Sequence, residues 1–186
     1  NRGMQYDVQH DVLLLNSDVE VANDWLRRMR EAAYQNGKVA SVTPFSNNAT
    51  ICSFPDFCRE NDLLFGLSVA ELDACFAGQF GPGDVIDVPT GIGCCMYLRR
   101  DCLDEVGCFD LETFGRGYGE ENDWCQRAAK AGWRNLHLAN CFVYHAGGVS
   151  FGAEQQARVD NAQVLLARKH PRYAADVESF LAADPA

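Results

Sequence analysis

The sequence predicts an α/β fold, and three neighbouring segments near the start of the chain carry that prediction. Residues 12–15 form a short, unbroken apolar run, which is typical of a strand buried on both faces. A helix over residues 23–36, with an asparagine at the cap position and one apolar face, stops at Gly37. Residues 39–43 predict a second strand, halted by Pro44. This order favours a right-handed crossover between two parallel strands.

The remaining elements continue a single domain over residues 1–186. Residues 46–66 are loop-like, and Ser68 can cap a short helix that runs to about residue 77. Residues 87–99 contain a strand, and Asp101 can cap the short helix that follows it. The later elements are a helix from the carboxylates at 120–123 to Ala131, one or two strands within 135–145, and C-terminal helices over 153–182.

Composition restricts the function classes. The chain of 186 residues has a formal net charge of −10 and no basic run, which argues against nucleic acid or an anionic membrane as a partner. A net acidic protein that handles phosphates needs a local cation, and no apolar stretch is long enough to cross a bilayer. Nine cysteines without a Cys-x-x-Cys pair predict neither a disulfide framework nor a zinc ribbon, and they favour a reducing cytoplasm.

The most informative segment is 114–127, where a glycine-studded loop leads into a helix. Glu120, Glu121 and Asp123 occupy the first helical turn, where neighbouring carboxylates and partial burial can raise a pKa toward that of a general base. Glu120 and Asp123 share a face, whereas Glu121 projects elsewhere, so at most one or two of them can address one substrate hydroxyl. The alternative is that these residues only complement the helix dipole.

A second group of residues has the chemistry of metal ligands. Asn16-Ser17-Asp18 follows the first predicted strand, and an aspartate there can ligate Mg²⁺ or Mn²⁺. His145 ends a later strand beside two glycines, and its imidazole can complete a metal site. The alternatives are an aspartate that caps the loop and a histidine with a structural hydrogen bond.

The other histidines and one glycine motif have simpler interpretations. We expect His137 to pack within a strand, and His10 and His170 to lie at the surface. Thr90-Gly91-Ile92-Gly93 places two glycines just before a strand, which would let the backbone approach a ligand closely. The alternative for this motif is a plain turn.

Taken together and in order, these motifs resemble the family-2 glycosyltransferases with a GT-A fold. Residues 11–18 resemble the strand that ends in the family's Asp-x-Asp metal motif, with asparagine in the first position and Asp18 in the second. Residues 107–110 and 119–127 resemble the acceptor-side run "G-x-F-D … G-E-D-x-D", and Tyr144-His145 matches the late histidine of many metal-dependent members. The finer resemblance is to bacterial enzymes that build O-antigen and related surface polysaccharides, including rhamnosyltransferase-like members.

The resemblance implies an inverting transfer of a sugar from a nucleotide-diphosphate sugar to the hydroxyl of a glycan or lipid-linked glycan. It implies a GT-A-like, Rossmann-like fold with a mixed, mainly parallel sheet flanked by helices. Asp18 and His145 would hold Mg²⁺ or Mn²⁺, and Glu121 would replace the family's aspartate as the base, with Glu120 and Asp123 beside it. The expected donor-side residues are Asn16, Ser17, Asp18, Thr90, Gly91 and Gly93.

Two further expectations concern the whole protein. The family's first strand and nucleotide-base pocket have no counterpart before residue 11, so we expect this chain to be the C-terminal part of the domain and to bind nucleotide poorly alone. We expect a cytoplasmic protein, with peripheral association at the inner face of a membrane compatible with the acceptor class. Two rival functions stay open: a metal-dependent nucleotidyltransferase, which needs a basic, glycine-rich phosphate loop, and a non-catalytic carbohydrate-binding fragment.

Overall fold

The structure is a computed structural model that describes residues 1–35, 37–115, 118–147 and 152–183, with side chains from residue 156 onward in the last range. The strands are β1 (Val12–Leu15), β2 (Val19–Glu20), β3 (Val39–Ser46), β4 (Val85–Asp87), β5 (Cys95–Leu98) and β6 (Arg134–His145). The helices are α1 (Arg2–Tyr6), α2 (Trp25–Gln35), α3 (Val69–Gln79), α4 (Arg100–Val106), α5 (Leu111–Phe114), α6 (Glu120–Lys130), α7 (Gly152–Lys169) and α8 (Tyr173–Ala183). Short 3₁₀ turns occur at Thr50–Cys52 and Leu64–Gly66.

The strands form one mixed sheet in the order β1-β5-β3-β6-β2, and β4 also pairs with β6. β3 and β6 are parallel, whereas the other pairs are antiparallel. The predicted fold class, a mixed sheet flanked by helices, is confirmed. The expectation that the sheet is mainly parallel is wrong for the described strands, because β5 runs in the opposite direction between β1 and β3. The predicted crossover therefore joins strands of the same direction that do not pair with each other.

Helices cover both faces of the sheet, as the alternation along β5 makes clear. Cys95 and Tyr97 pack in an apolar cluster with α2. Met96 and Leu98 point the other way and pack with α4 and with Trp124 of α6. A third cluster, rich in phenylalanine, lies between α3 and β6. The sheet thus supports α6, which begins with the carboxylate cluster.

Several predicted boundaries are confirmed. Ser68 caps α3 through a capping box, in which its Oγ accepts from the Glu71 N–H and the Glu71 carboxylate accepts from the Ser68 N–H. Gly37 follows α2 with a φ of 82°, a left-handed conformation that suits glycine. The later helix, the long strand and the C-terminal helices lie where the sequence predicts them, and no helix of the described ranges is long and apolar enough to cross a membrane.

Four local predictions are wrong. Pro44 does not halt β3, because a register shift against β6 directly after it accommodates a residue without an N–H. Asn23 does not cap α2, since its φ is 53° and its amide donates to the Asp73 carboxylate (2.7 Å). Asp101 lies within the first turn of α4, which Arg99 precedes. Finally, β1 is a partly exposed edge strand and is not buried on both faces.

Candidate functional site

Strand pairing brings together two predicted metal ligands that are far apart in the sequence. The short strand β2 pairs with the end of β6 so that Val19 lies opposite His145, and the Ala146 N–H donates to the Asp18 carbonyl (3.0 Å). As a result, Asp18 Oδ2 lies 3.4 Å from His145 Nε2. Asn16 Nδ2 lies 3.5 Å from the same ring nitrogen. Three of the residues singled out from the sequence therefore form one cluster.

The orientation of the His145 ring fits a divalent cation. Its Nδ1 lies 2.8 Å from the Asn48 carbonyl oxygen, and because a carbonyl only accepts, Nδ1 carries the proton of the neutral ring, whose lone pair is then on Nε2. Two neighbouring ligand atoms on one octahedral ion lie about 3 Å apart, which is close to the observed separation from Asp18. Within the described part of the chain, no third histidine, cysteine or acidic residue joins them. The other positions around an ion would be filled by water or by ligand oxygens.

Glu121 is the second residue of α6, and its side chain is half-buried. Burial is the main cause and the negative charge of Glu120 the second cause of a rise in the pKa of Glu121 to about 7. Oε2 of Glu120 is itself buried and has no hydrogen-bond partner among the described atoms. A carboxyl group with a pKa near neutrality is suited to accept a proton from a substrate hydroxyl.

The cluster of Asn16, Asp18 and His145 lies near Glu121 at the start of β5. The Cys94 carbonyl accepts from the Asn16 N–H (2.9 Å), and a Cβ placed on Gly93 would lie 3.9 Å from the Glu121 carboxyl carbon. Burial raises the pKa of the Cys94 thiol to about 12, and the nearby charges of Asp18 and Glu121 contribute to the rise. One end of the sheet therefore carries both the Glu121 carboxyl, which can act as a base, and the Asp18–His145 pair, which can ligate a metal ion.

Asp123 has a different environment from its two glutamate neighbours. Its side chain is 0% exposed, Oδ1 accepts from His170 Nε2 and Lys169 Nζ (both 2.8 Å), and Oδ2 accepts from Arg127 Nε (2.8 Å). Burial alone would raise the pKa of Asp123, but the hydrogen bonds from these three donors outweigh it and lower the pKa. A fully buried, paired carboxylate does not reach a substrate hydroxyl, so we leave Asp123 out of the base role expected for it.

The glycine motif divides into a buried part and a part at the site. Thr90 is buried and accepts from Asn122 Nδ2 (2.9 Å), and the Gly91 N–H donates to Cys125 Sγ (3.2 Å). Both residues lie beneath the surface, which does not fit direct contact with a nucleotide-sugar donor. Gly93 borders the site and remains a candidate, as do Asn16 and the exposed Ser17 in the turn before β2.

The two glycines of this motif should respond differently to a methyl group. A Cβ on Gly91 would lie 2.8 Å from Met96 Cε and 3.0 Å from Thr43 Oγ1, so Gly91→Ala is expected to reduce the free energy of unfolding by about 1–3 kcal/mol through overpacking. Gly93→Ala, whose closest contacts are ordinary ones, is expected to change it by less than about 0.5 kcal/mol. Urea unfolding of the two variants measures the difference. Equal losses would contradict the packing role of Gly91.

Comparisons with known proteins establish the fold. No protein-family model matches the chain. Over 61 residues the chain is 39% identical to uncharacterized proteins of Mycobacterium tuberculosis and Mycobacterium bovis, a match that covers 32% of this chain and 23% of each relative. The chain thus spans about a quarter of the length of the curated relatives it matches. A crystal structure of GalNAc-T7 with UDP, GalNAc and Mn²⁺ superposes with a TM-score of 0.54 and 12% identity, over 84% of this chain and 31% of that one.

The chain has a glycosyltransferase fold. At this level of identity the likeness concerns the arrangement of the backbone, which matches the GT-A-like architecture that the sequence motifs imply.

Sequence reasoning missed or misplaced several residues around the site. His170, expected at the surface, is buried against Asp123, whereas His10 is exposed and His137 is buried as predicted. Asn47 contacts His145, and the sequence signal for it is a pair of asparagines directly after a buried strand. The predicted loop residues Arg116, Gly117 and Gly148 lie outside the described residues.

Proposed function

We propose that the protein is an inverting glycosyltransferase that transfers a sugar from a nucleotide-diphosphate sugar to an acceptor hydroxyl. The observation that carries the proposal is the position of Glu121, a half-buried carboxyl with a raised pKa, at the same end of the sheet as the Asp18–His145 pair. The motif order that resembles family-2 enzymes, together with the fold, supports a role in bacterial surface polysaccharide or related glycan synthesis.

Each residue has a distinct part in this reaction. Asp18 and His145 would hold a divalent cation, Mg²⁺ or Mn²⁺, which would supply Lewis-acid stabilisation of the diphosphate leaving group. The Glu121 carboxylate accepts the proton of the acceptor hydroxyl as that oxygen bonds to the anomeric carbon. The bond from the anomeric carbon to the phosphate oxygen breaks on the opposite face, so the configuration inverts and a nucleoside diphosphate leaves. Burial, and secondly the charge of Glu120, keep the pKa of Glu121 high.

The products test the proposal against its rivals. Incubation of the intact protein with nucleoside-diphosphate sugars, Mn²⁺ and a panel of glycan acceptors is expected to release a nucleoside diphosphate and form a glycosidic bond. Release of inorganic diphosphate from a nucleoside triphosphate would instead indicate a nucleotidyltransferase. Sugar binding that is independent of metal and yields no product would indicate a carbohydrate-binding module.

Asp18→Ala tests the metal part of the proposal. We expect the variant to lose more than about 100-fold in Mn²⁺ affinity, beyond the range typical of groups that only orient a ligand. Electron paramagnetic resonance of free Mn²⁺, with UDP present and absent, measures the affinity. Asp104→Ala, which removes an exposed aspartate of α4, is the control and should bind as the parent does. Equal Mn²⁺ affinity in both variants would refute the role of Asp18.

A further inference from the structure

Asn47 is a buried asparagine whose side chain is hydrogen-bonded to the backbone of His145. Its side chain is enclosed, with 2% of the residue exposed, and it lies directly after β3. Its Oδ1 accepts from the His145 N–H (2.7 Å), and its Nδ2 donates to the His145 carbonyl (3.1 Å). One side-chain amide therefore satisfies both backbone groups of a single residue on the opposite strand.

This arrangement continues the sheet by one step. The parallel pairing of β3 with β6 ends at Ser46 opposite Val143. Beyond that point the Asn47 amide takes the place of a peptide group, because an amide carries one acceptor and one donor edge as the backbone does. Its own position is fixed from outside the sheet, since Asn61 donates to the Asn47 carbonyl from both its backbone N–H (2.9 Å) and its Nδ2 (3.1 Å).

The neighbouring residues fix the imidazole ring as well as the backbone. The Asn48 carbonyl accepts from His145 Nδ1 (2.8 Å). Gly147 has a φ of 63°, and a Cβ there would lie 2.3 Å from Asn48 Nδ2, so the chain after His145 passes tightly against the same loop. The backbone and the ring of His145 are thus both held by one pair of asparagines, and Nε2 is left pointing toward Asp18.

We propose that Asn47 is a positioning residue: by hydrogen-bonding both backbone groups of His145, it places the ring where the Asn48 carbonyl fixes its tautomer and Nε2 faces Asp18. Asn47 itself touches no ion. The functional part of this inference rests on the proposed metal site, whereas the effect on the His145 ring does not. Sequence spacing alone gives no indication of such a role, because Asn47 and His145 are 98 residues apart.

Asn47→Ala tests the proposal with two readouts. We expect Mn²⁺ affinity, measured by electron paramagnetic resonance, to fall about tenfold, as for other groups that orient a metal-binding histidine. We also expect long-range ¹H–¹⁵N spectra of the metal-free protein to show that His145 changes from a single Nδ1–H tautomer to a mixture. Asn47→Ser keeps one hydrogen-bonding group, so its Mn²⁺ affinity should lie between those of the parent and the alanine variant. It replaces the alanine variant if that variant does not fold.

Asn135→Ala is the matched control. Asn135 is also a buried asparagine, 3% exposed, and makes two side-chain hydrogen bonds, to Ser41 and to the Cys125 carbonyl. Its loss should cost stability and leave the His145 ring and Mn²⁺ affinity unchanged. A folded Asn47 variant with the parent tautomer and parent Mn²⁺ affinity would overturn the inference. If Asp18→Ala also leaves Mn²⁺ affinity unchanged, the metal site itself fails, and the tautomer remains the separate test of Asn47.

Discussion

Replacement of Glu121 by glutamine in the intact protein is expected to abolish sugar transfer and leave donor binding nearly unchanged. The amide has about the same size as the carboxylate but cannot accept the acceptor's proton, so turnover should fall by about 10²–10⁴-fold, the range for loss of a general base. Steady-state release of nucleoside diphosphate gives the turnover, and calorimetry with Mn²⁺ gives the donor affinity. Near-parental turnover of Glu121→Gln would move the base to Glu120, the next carboxylate of the same turn.

The same role of Glu121 predicts how the transfer rate depends on pH. Because only the ionised form of Glu121 can take a proton, the rate should fall as pH drops below about 7, the value to which burial and Glu120 raise its pKa. Glu120→Gln removes one of the two causes, so its acidic limb should shift to lower pH while activity at pH 8 is kept. An unchanged limb would contradict the coupling between the two side chains.

The raised pKa also has a consequence for stability. A carboxyl whose pKa is higher in the folded protein than in the unfolded chain binds its proton more tightly when folded, so its ionisation destabilises the fold as pH rises from about 4.5 to about 7. Glu121→Gln should therefore melt at a higher temperature than the parent at pH 8 and at a similar temperature at pH 4. The opposite order would show that the Glu121 carboxylate is stabilised by its surroundings.

The second large effect is expected at Asp123. Asp123→Ala removes the common acceptor of buried His170 and of the partly exposed Lys169 and Arg127, and we expect the free energy of unfolding to fall by about 3 kcal/mol at pH 7. Urea denaturation followed by circular dichroism measures the loss. The hydrogen bonds of Asp123 to Lys169 and His170 join α6 to the end of α7. The C-terminal helices should therefore become more sensitive to proteolysis in the same variant.

Asp176→Ala is the control for this loss. Asp176 also forms an i, i+4 pair with an arginine, but Arg172 is 90% exposed and the contact is 3.4 Å. The change there should be below about 0.5 kcal/mol. A similar change in the two variants would mean that the Asp123 pairs contribute no more than an exposed pair.

Local signals in the sequence were sufficient for much of the fold. The capping box at Ser68, the glycine stop at Gly37 and the apolar periodicity of the later helices depend on residues within a few positions of one another. The position of Asp18 after a strand and of His145 at the end of another could be predicted for the same reason. Each of these features depends on residues that are close together in the sequence.

The failures share a different physical origin, since each depends on contacts between distant segments. His170 resembles a surface histidine until Asp123, 47 residues away, is placed against it. The strand β2 has two residues and gains its structure only from pairing with β6. The direction of β5 was not predicted, because a four-residue apolar run has the same pattern in a parallel and in an antiparallel pair.

That reversed direction of β5 has a consequence for how the site can vary. Since β5 runs opposite to β1 and β3, its first residues lie at the end of the sheet where β1 ends, so the segment that leads into β5 lies beside both Asn16 and Glu121. Thr90 and Gly91 of this segment are held against α6, whereas Gly93 borders the site. A side chain introduced at Gly93 can therefore change the space beside Glu121 while the buried part of the same segment keeps its contacts.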